Sequence, residues 1–147
     1  MSDERAFIDA NIVIYATGTA HPYRAPARAI LDFGAKYPGA LVSSAEVMQE
    51  LLNIGIRRND PQRAALTLDA LVRAATPIEP LFATDVMAAH AANLPRLSAR
   101  DRVHLAVMRR VGCSSIVSTD RAFDGVPGIT RLNPLDFENW RSELAGD

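Results

Sequence analysis

Short apolar runs alternate along this chain with longer stretches whose apolar residues recur at helical spacing. The alternation predicts βαβ units around a mainly parallel sheet. Ala6-Phe7-Ile8 reads as a strand that stops at Asp9, and Asn11 begins a helical stretch through Ile12, Val13, Ile14 and Tyr15. Gly18 and Pro22 punctuate residues 17–26, which read as loop, and residues 28–33 read as helix. Pro38-Gly39 breaks that helix, and Ala40-Leu41-Val42 reads as a second strand. Ser43 or Ser44 caps the next helix, which runs to about Arg57. Asp60 and Pro61 supply an N-cap and a first helical residue for another. Residues 78–81 predict a third strand, weakened by Pro77 and Pro80. Helices follow over residues 85–94 and 98–111, with Gly112 as the stop of the second. Residues 115–118 read as a strand ending at Thr119-Asp120, and residues 129–132 as the last edge strand.

With 147 residues and an apolar share of 48%, the chain reads as one folded domain over its whole length, 1–147, rather than two or a disordered segment. The formal charge of −1 excludes a strongly basic polymer binder but not a nuclease with a local field. Aromatic residues, at 6%, are too few for a protein that works mainly by stacking bases. Cys113 is the single cysteine, so no internal disulfide or multi-cysteine zinc site exists, and a reduced cytoplasmic setting is expected. No apolar run approaches the roughly 18 residues of a membrane span, so neither a membrane segment nor a leader is expected.

Four acids stand where open parallel sheets place their active sites, beyond the carboxyl ends of strands. Asp9 follows the first strand and Asp120 the strand at 115–118, Asp101 lies in the first turn of the helix leading into that strand, and Glu50 lies within the helix after the second strand. Singly, each has a plainer explanation. Asp101 is a helix N-terminal charge three residues after Ser98, Glu50 a solvated helix charge, and Asp120 a turn residue. Asp9 resists one, because a carboxylate between a buried strand and an apolar helix needs a partner. Together the four repel one another unless a cation sits among them. Oxygen ligands favour Mg²⁺ or Mn²⁺, which can activate a water against a phosphodiester.

Other chemistries lack their residues. There is no phosphate-binding glycine motif and no serine elbow. Asn11 stands where an aspartyl-phosphate motif needs a second aspartate, and Lys36 is the only lysine. Cys113 reads as a packed thiol, His90 and His104 as structural histidines on apolar helix faces, and Asp124 as a turn residue before Gly125.

The segment from Phe7 to Ala16 resembles the first acidic motif of PIN-domain ribonucleases, most closely the VapC-type toxins. Val47 to Leu52 looks like the second motif, Leu97 to Ala106 the third, and Val117 to Phe123, followed by Val126-Pro127-Gly128, the fourth. The resemblance runs from Phe7 to Pro134. It implies an α/β/α sandwich around a mainly parallel sheet. It also implies Mg²⁺- or Mn²⁺-dependent RNA cleavage, a homodimer, and inhibition by a VapB-like antitoxin. Carried over residue by residue, it makes Asp9, Asp101 and Asp120 metal ligands and Glu50 the further catalytic acid. Asn11 and Thr119 become supporting residues. The second motif departs from the usual pattern, because Gly55 follows Glu50 by five positions, and Glu46, one turn earlier on the same face, stands as the alternative acid.

Cations must offset these charges if RNA is to approach. Arg100, Arg102 and Arg121 flank the motifs and are the first choices for phosphate contacts, whereas Arg109-Arg110 reads as solvated helix surface. The apolar helices around 47–56 and 66–72 either pack in the core or leave a groove for an antitoxin helix. A catalytically silent PIN-like module that binds RNA or protein is the alternative function.

Overall fold

The computed structural model describes residues 4–145. Its strands are β1 (Ala6–Ile8), β2 (Leu41–Ser44), β3 (Ile78–Glu79), β4 (Ser115–Val117) and β5 (Thr130–Leu132). They form one parallel sheet in the order β3-β2-β1-β4-β5. The helices are α1 (Ala10–Thr17), α2 (Arg24–Lys36), α3 (Ala45–Arg57), α4 (Pro61–Ala74), α5 (Ala83–Ala91), α6 (Ala99–Arg110) and α7 (Phe137–Ala145).

The strand order fixes the layers. From β1 the chain steps to β2 and then β3 in one direction, so right-handed crossovers set α1 to α4 on one face. It then returns past β1 to β4, which sets α5 and α6 on the other. The result is a three-layer α/β/α sandwich with a fully parallel sheet. Both faces are covered, which is why β1, β2 and the inner residues of β4 are buried throughout. Phe7, Ile8, Ile12, Leu41, Leu71, Leu105 and Ile116 are among the fully buried side chains of the continuous core. Strand order reverses between β1 and β4, and the crevice beyond their carboxyl ends is where such sheets bind ligands.

Local chemistry accounts for the element boundaries. The Ser44 hydroxyl accepts the Val47 amide hydrogen and caps α3. Asp60 caps α4 through Arg63, with Pro61 in the first turn. Gly112, at φ +74°, takes the left-handed conformation that follows α6. Gly55 allows α3 to approach α4, because a Cβ there would stand 2.5 Å from the Ala64 Cβ.

Several elements depart from the sequence expectation: β2 spans Leu41–Ser44 rather than 40–42, and α5 spans Ala83–Ala91 rather than 85–94. α2 starts at Arg24, inside the expected loop, because Pro26 sits in the first turn, where its missing N–H costs nothing. β3 shrinks to two residues between Pro77 and Pro80. α7 lies beyond the last expected element. It places Phe137, Trp140 and Leu144 on the core, and the Trp140 indole N–H donates to the Asn133 carbonyl at 2.9 Å. Among the described residues no helix is long and apolar enough to cross a membrane.

Candidate active site

Asp9 is the N-cap of α1, at the carboxyl end of β1 in the sheet centre. Its Oδ1 accepts the Ala10 amide at 2.8 Å, and its Oδ2 accepts the Ser118 hydroxyl at 2.8 Å and the Asn11 amide at 3.3 Å. Only 4% of the residue is exposed. Every one of these donors is neutral. Burial drives the Asp9 carboxyl above its ordinary range and the charge of Glu50 adds to this, while His104, Ser118 and the Ala10 amide pull against it.

Asp120 stands across the switch point, at the end of β4. It caps the short 3₁₀ turn Arg121–Phe123, its Oδ1 accepting the Ala122 amide at 2.9 Å. Its own amide donates to the Ser118 hydroxyl at 3.0 Å. Ser118 is therefore a hub tying Asp9 to Asp120, and it is fully buried. Asn11 joins the same network: its amide donates to Ser118 at 3.1 Å, and its oxygen accepts the Thr119 backbone N–H at 3.3 Å. Thr119 thus enters through its main chain, while the neighbouring Ser118 supplies the hydroxyl.

Asp101 approaches from α6. Its amide donates to the Ser98 hydroxyl at 3.1 Å, so the helix-start explanation and membership of the acidic set hold together. Burial raises its carboxyl, and the charges of Asp120 and Glu50 push the same way, against Ser98 and His104. Glu50 projects from α3, and its Oε1 lies 3.4 Å from His104 Nε2. Glu46 is occupied elsewhere. Its Oε1 accepts from the Arg100 Nε–H at 3.2 Å, which leaves Glu50 as the acid of α3 that faces Asp9. The fold therefore brings Asp9, Glu50, Asp101 and Asp120 into one electrostatic cluster.

His104 departs from its reading as a purely structural histidine. It is fully buried, and its Nε2 lies 3.9 Å from Asp9 Oδ1 as well as 3.4 Å from Glu50. Ligand atoms of Asp9, Glu50 and His104 all lie within 4.8 Å of one another. The sequence carried a signal for this. His104 follows Asp101 by three positions, which puts the two on one helix face.

The three flanking arginines differ in their engagement. Arg100 pairs with Glu46, and Arg102 donates to the Leu97 carbonyl at 3.2 Å. Arg121 is exposed, its charge acts on the nearby Asp124, and no hydrogen bond or close ion pair holds its guanidinium among the described residues. Arg109 and Arg110 are exposed as expected, but Arg110 is also engaged, pairing with buried Asp85 at 2.9 Å. Asp124, exposed, pairs with Arg131 at 2.8 Å beside its turn. Cys113 is buried with its thiol pushed up by burial, and His90 is exposed.

Can this site hold a divalent cation? Two of its carboxyls are driven upward by burial and mutual charge, and no arginine or lysine neutralises Asp9. A buried anion left in this state is stabilised by a cation bound among the oxygens. The donor set is oxygen-rich and suits a hard ion.

Comparison with known proteins agrees with the geometry. The PIN domain family matches residues 6–129. Ribonuclease VapC23 of Mycobacterium tuberculosis is 46% identical over 120 residues, covering 78% of this chain and 91% of the relative. Ribonuclease VapC13 of the same organism is 36% identical over 129 residues, covering 85% and 97%. Among solved structures, Mycobacterium tuberculosis VapC20, described as a sarcin-ricin loop cleaving toxin, superposes with a TM-score of 0.62 at 20% identity, covering 79% of this chain and 90% of that one. A toxin–antitoxin complex from Klebsiella pneumoniae gives 0.62 at 18% identity, covering 88% and 97%.

Proposed function

The chain belongs to the PIN-domain family and groups within it with the VapC ribonucleases, and from this we propose that it is an endoribonuclease toxin dependent on Mg²⁺ or Mn²⁺. The observation that carries the reading is the convergence of Asp9, Glu50, Asp101 and Asp120 at the switch point, where burial and neighbouring acids raise the carboxyls of Asp9 and Asp101.

Asp9, Asp101 and Asp120 would hold the cation. When bound, it supplies a Lewis acid that lowers the pKa of water and offsets charge on the phosphodiester. The remaining work belongs to the chain. Ser118 and Asn11 fix Asp9 so that its oxygens need not reorganise during the reaction. Glu50 takes the proton that the attacking water gives up as its oxygen bonds to phosphorus, and as the P–O ester bond breaks the leaving oxygen takes a proton from solvent water. Arg121 offers a free guanidinium beside Asp120 for a substrate phosphate. Arg100 and Arg102, already engaged, shape the rim and contribute their charge.

The partners of the proposal are RNA, a VapB-like antitoxin and a second copy of the chain, acting in the cytoplasm. Leu52 and Ile56 of α3 and Leu66 of α4 stay exposed, which supports an apolar antitoxin segment lying there. Phe82, just before α5, and Val86 and Met87 within it form a second exposed apolar stretch suited to a homodimer.

Incubation of purified, antitoxin-free protein with RNA and Mn²⁺ or Mg²⁺, against EDTA and Asp101→Ala, is the direct test. Discrete products that vanish in both controls are expected. Folded protein that gives no product with any RNA would turn the reading to the silent binding module.

A further inference from the structure

Two arrangements of His104 are open to a ring whose Nε2 faces Asp9 and Glu50. Either Nε2 offers its lone pair to a cation, making a mixed nitrogen–oxygen centre with the two acids, or Nε2 carries a hydrogen and donates it to the carboxylates. The opposite side of the ring separates them. A histidine that binds a metal almost always donates its other N–H to a carboxylate, carbonyl or water, which fixes the tautomer. His104 Nδ1 is buried and has no hydrogen-bond partner among the described residues. Placing the hydrogen there would bury an unsatisfied donor while leaving two carboxylates facing a bare nitrogen. Placing it on Nε2 gives a donor facing acceptors and leaves only a lone pair unmatched. The ring is fully buried, with its centroid 5.6 Å from that of Phe7.

On this basis we infer that His104 is a positioning residue, which holds the Glu50 carboxylate from Nε2 and is not itself a metal ligand. The inference rests on the cation-dependent reading of the site and deepens it. It keeps the cation's protein ligands all oxygen, which favours Mg²⁺ or Mn²⁺, whereas a coordinating imidazole would open the site to zinc and its neighbours. Glu50 sits mid-helix on a flexible stem and makes no other hydrogen bond among the described residues, so without His104 its carboxylate is free to swing out toward solvent.

Long-range ¹H–¹⁵N correlation on the metal-free, unsubstituted chain reads the hydrogen directly. A hydrogen on Nε2 supports the assignment, and a bare Nε2 overturns it. Pulsed electron paramagnetic resonance of the Mn²⁺-loaded chain should show no directly coordinated histidine nitrogen, and a coordinated one would equally overturn it. In kinetics, His104→Leu should lower kcat about ten- to a hundredfold, the range seen when such outer partners are removed, with little change in KM. His104→Gln, which can present an amide N–H at a similar reach, should recover most of the loss. Equal losses in both variants, each folded by circular dichroism, would count against positioning by a hydrogen bond. If the unsubstituted chain binds no Mn²⁺, the cation reading itself falls, and the metal-free nitrogen spectrum still decides where the hydrogen lies.

Discussion

Asp9 and Asp85 are both aspartates at the start of a helix, and both are almost entirely buried, at 4% and 3% exposed. Their surroundings differ in one respect. Asp85 faces Arg110, whose Nε–H and Nη2–H donate to its two oxygens at 2.9 and 3.2 Å, and the Phe82 amide donates at 2.9 Å. Arg110 is held in turn by the Pro80 carbonyl and lies over the Phe82 ring. Burial alone would raise the Asp85 carboxyl, but the Arg110 hydrogen bonds, the Phe82 amide and the Arg110 charge outweigh it and hold it below the ordinary range. Asp9 has hydrogen bonds of similar number but from neutral groups, with acids nearby, and its carboxyl moves the other way. A buried acid given a cationic side chain clamps two helices together. A buried acid denied one is left with an electrostatic debt that only something from outside the chain can settle.

The largest effect should come from removing the charge at Asp9 alone. Asp9→Asn keeps an oxygen for the α1 cap yet should lower RNA cleavage by about a hundredfold or more, since metal-assisted charge stabilisation is worth several kcal/mol. Circular dichroism should show the fold retained, and a variant that still cleaves normally would break the contrast. Next comes Arg110→Met, which strands Asp85. Removing one partner of a buried pair costs about 3–5 kcal/mol, and the partial exposure of Arg110 discounts this to roughly 2–3 kcal/mol. A melting temperature lower by roughly 10 °C is expected, with cleavage unchanged at temperatures where the variant is folded.

Metal should act on one acid only. Mg²⁺ or Mn²⁺ at a hundred times its dissociation constant should add about 2.7 kcal/mol of stability, and Asp9→Asn should abolish that gain while Arg110→Met keeps it. The smallest effect is the pH trend in EDTA. Asp9 and Asp101 have raised folded values, so their favourable contribution is complete below the ordinary carboxylate value of 3.8 and is lost as pH rises through those raised values. Asp85 behaves oppositely. Its contribution is present above 3.8 and fades as pH falls through its lowered value. Metal-free protein should therefore melt higher at mildly acidic than at neutral pH, Asp9→Asn should flatten that slope, and thermal scans across pH would show it.

Much of this was legible in the residues. β1 and the apolar residues of β2 and β4 are buried on both faces, and the caps at Ser43 or Ser44, Asp60 and Ser98 mark their helices in the sequence. Asp9, Asp101 and Asp120 stood out because they follow strands or open the helix that feeds one. What could not be read was partnership across the fold. Arg110 looked like a solvated charge because Asp85 lies 25 residues away on another helix. Ser118 was passed over for Thr119, since alternation along a strand end does not say which hydroxyl turns inward. His104 looked like core because it is core, and its second role depends on α3 delivering Glu50 to it. The choice between Glu46 and Glu50 likewise needed Arg100 in place.

Asp9 makes its helix cap with one oxygen and carries its charge on the pair of them. An asparagine supplies the same capping oxygen without the charge, and a single base separates the two codons. If Asp9 holds the cation as proposed, a disarmed copy of this chain is one base change away, and in a cell holding both copies it would act as a decoy, soaking up whatever neutralises the active form.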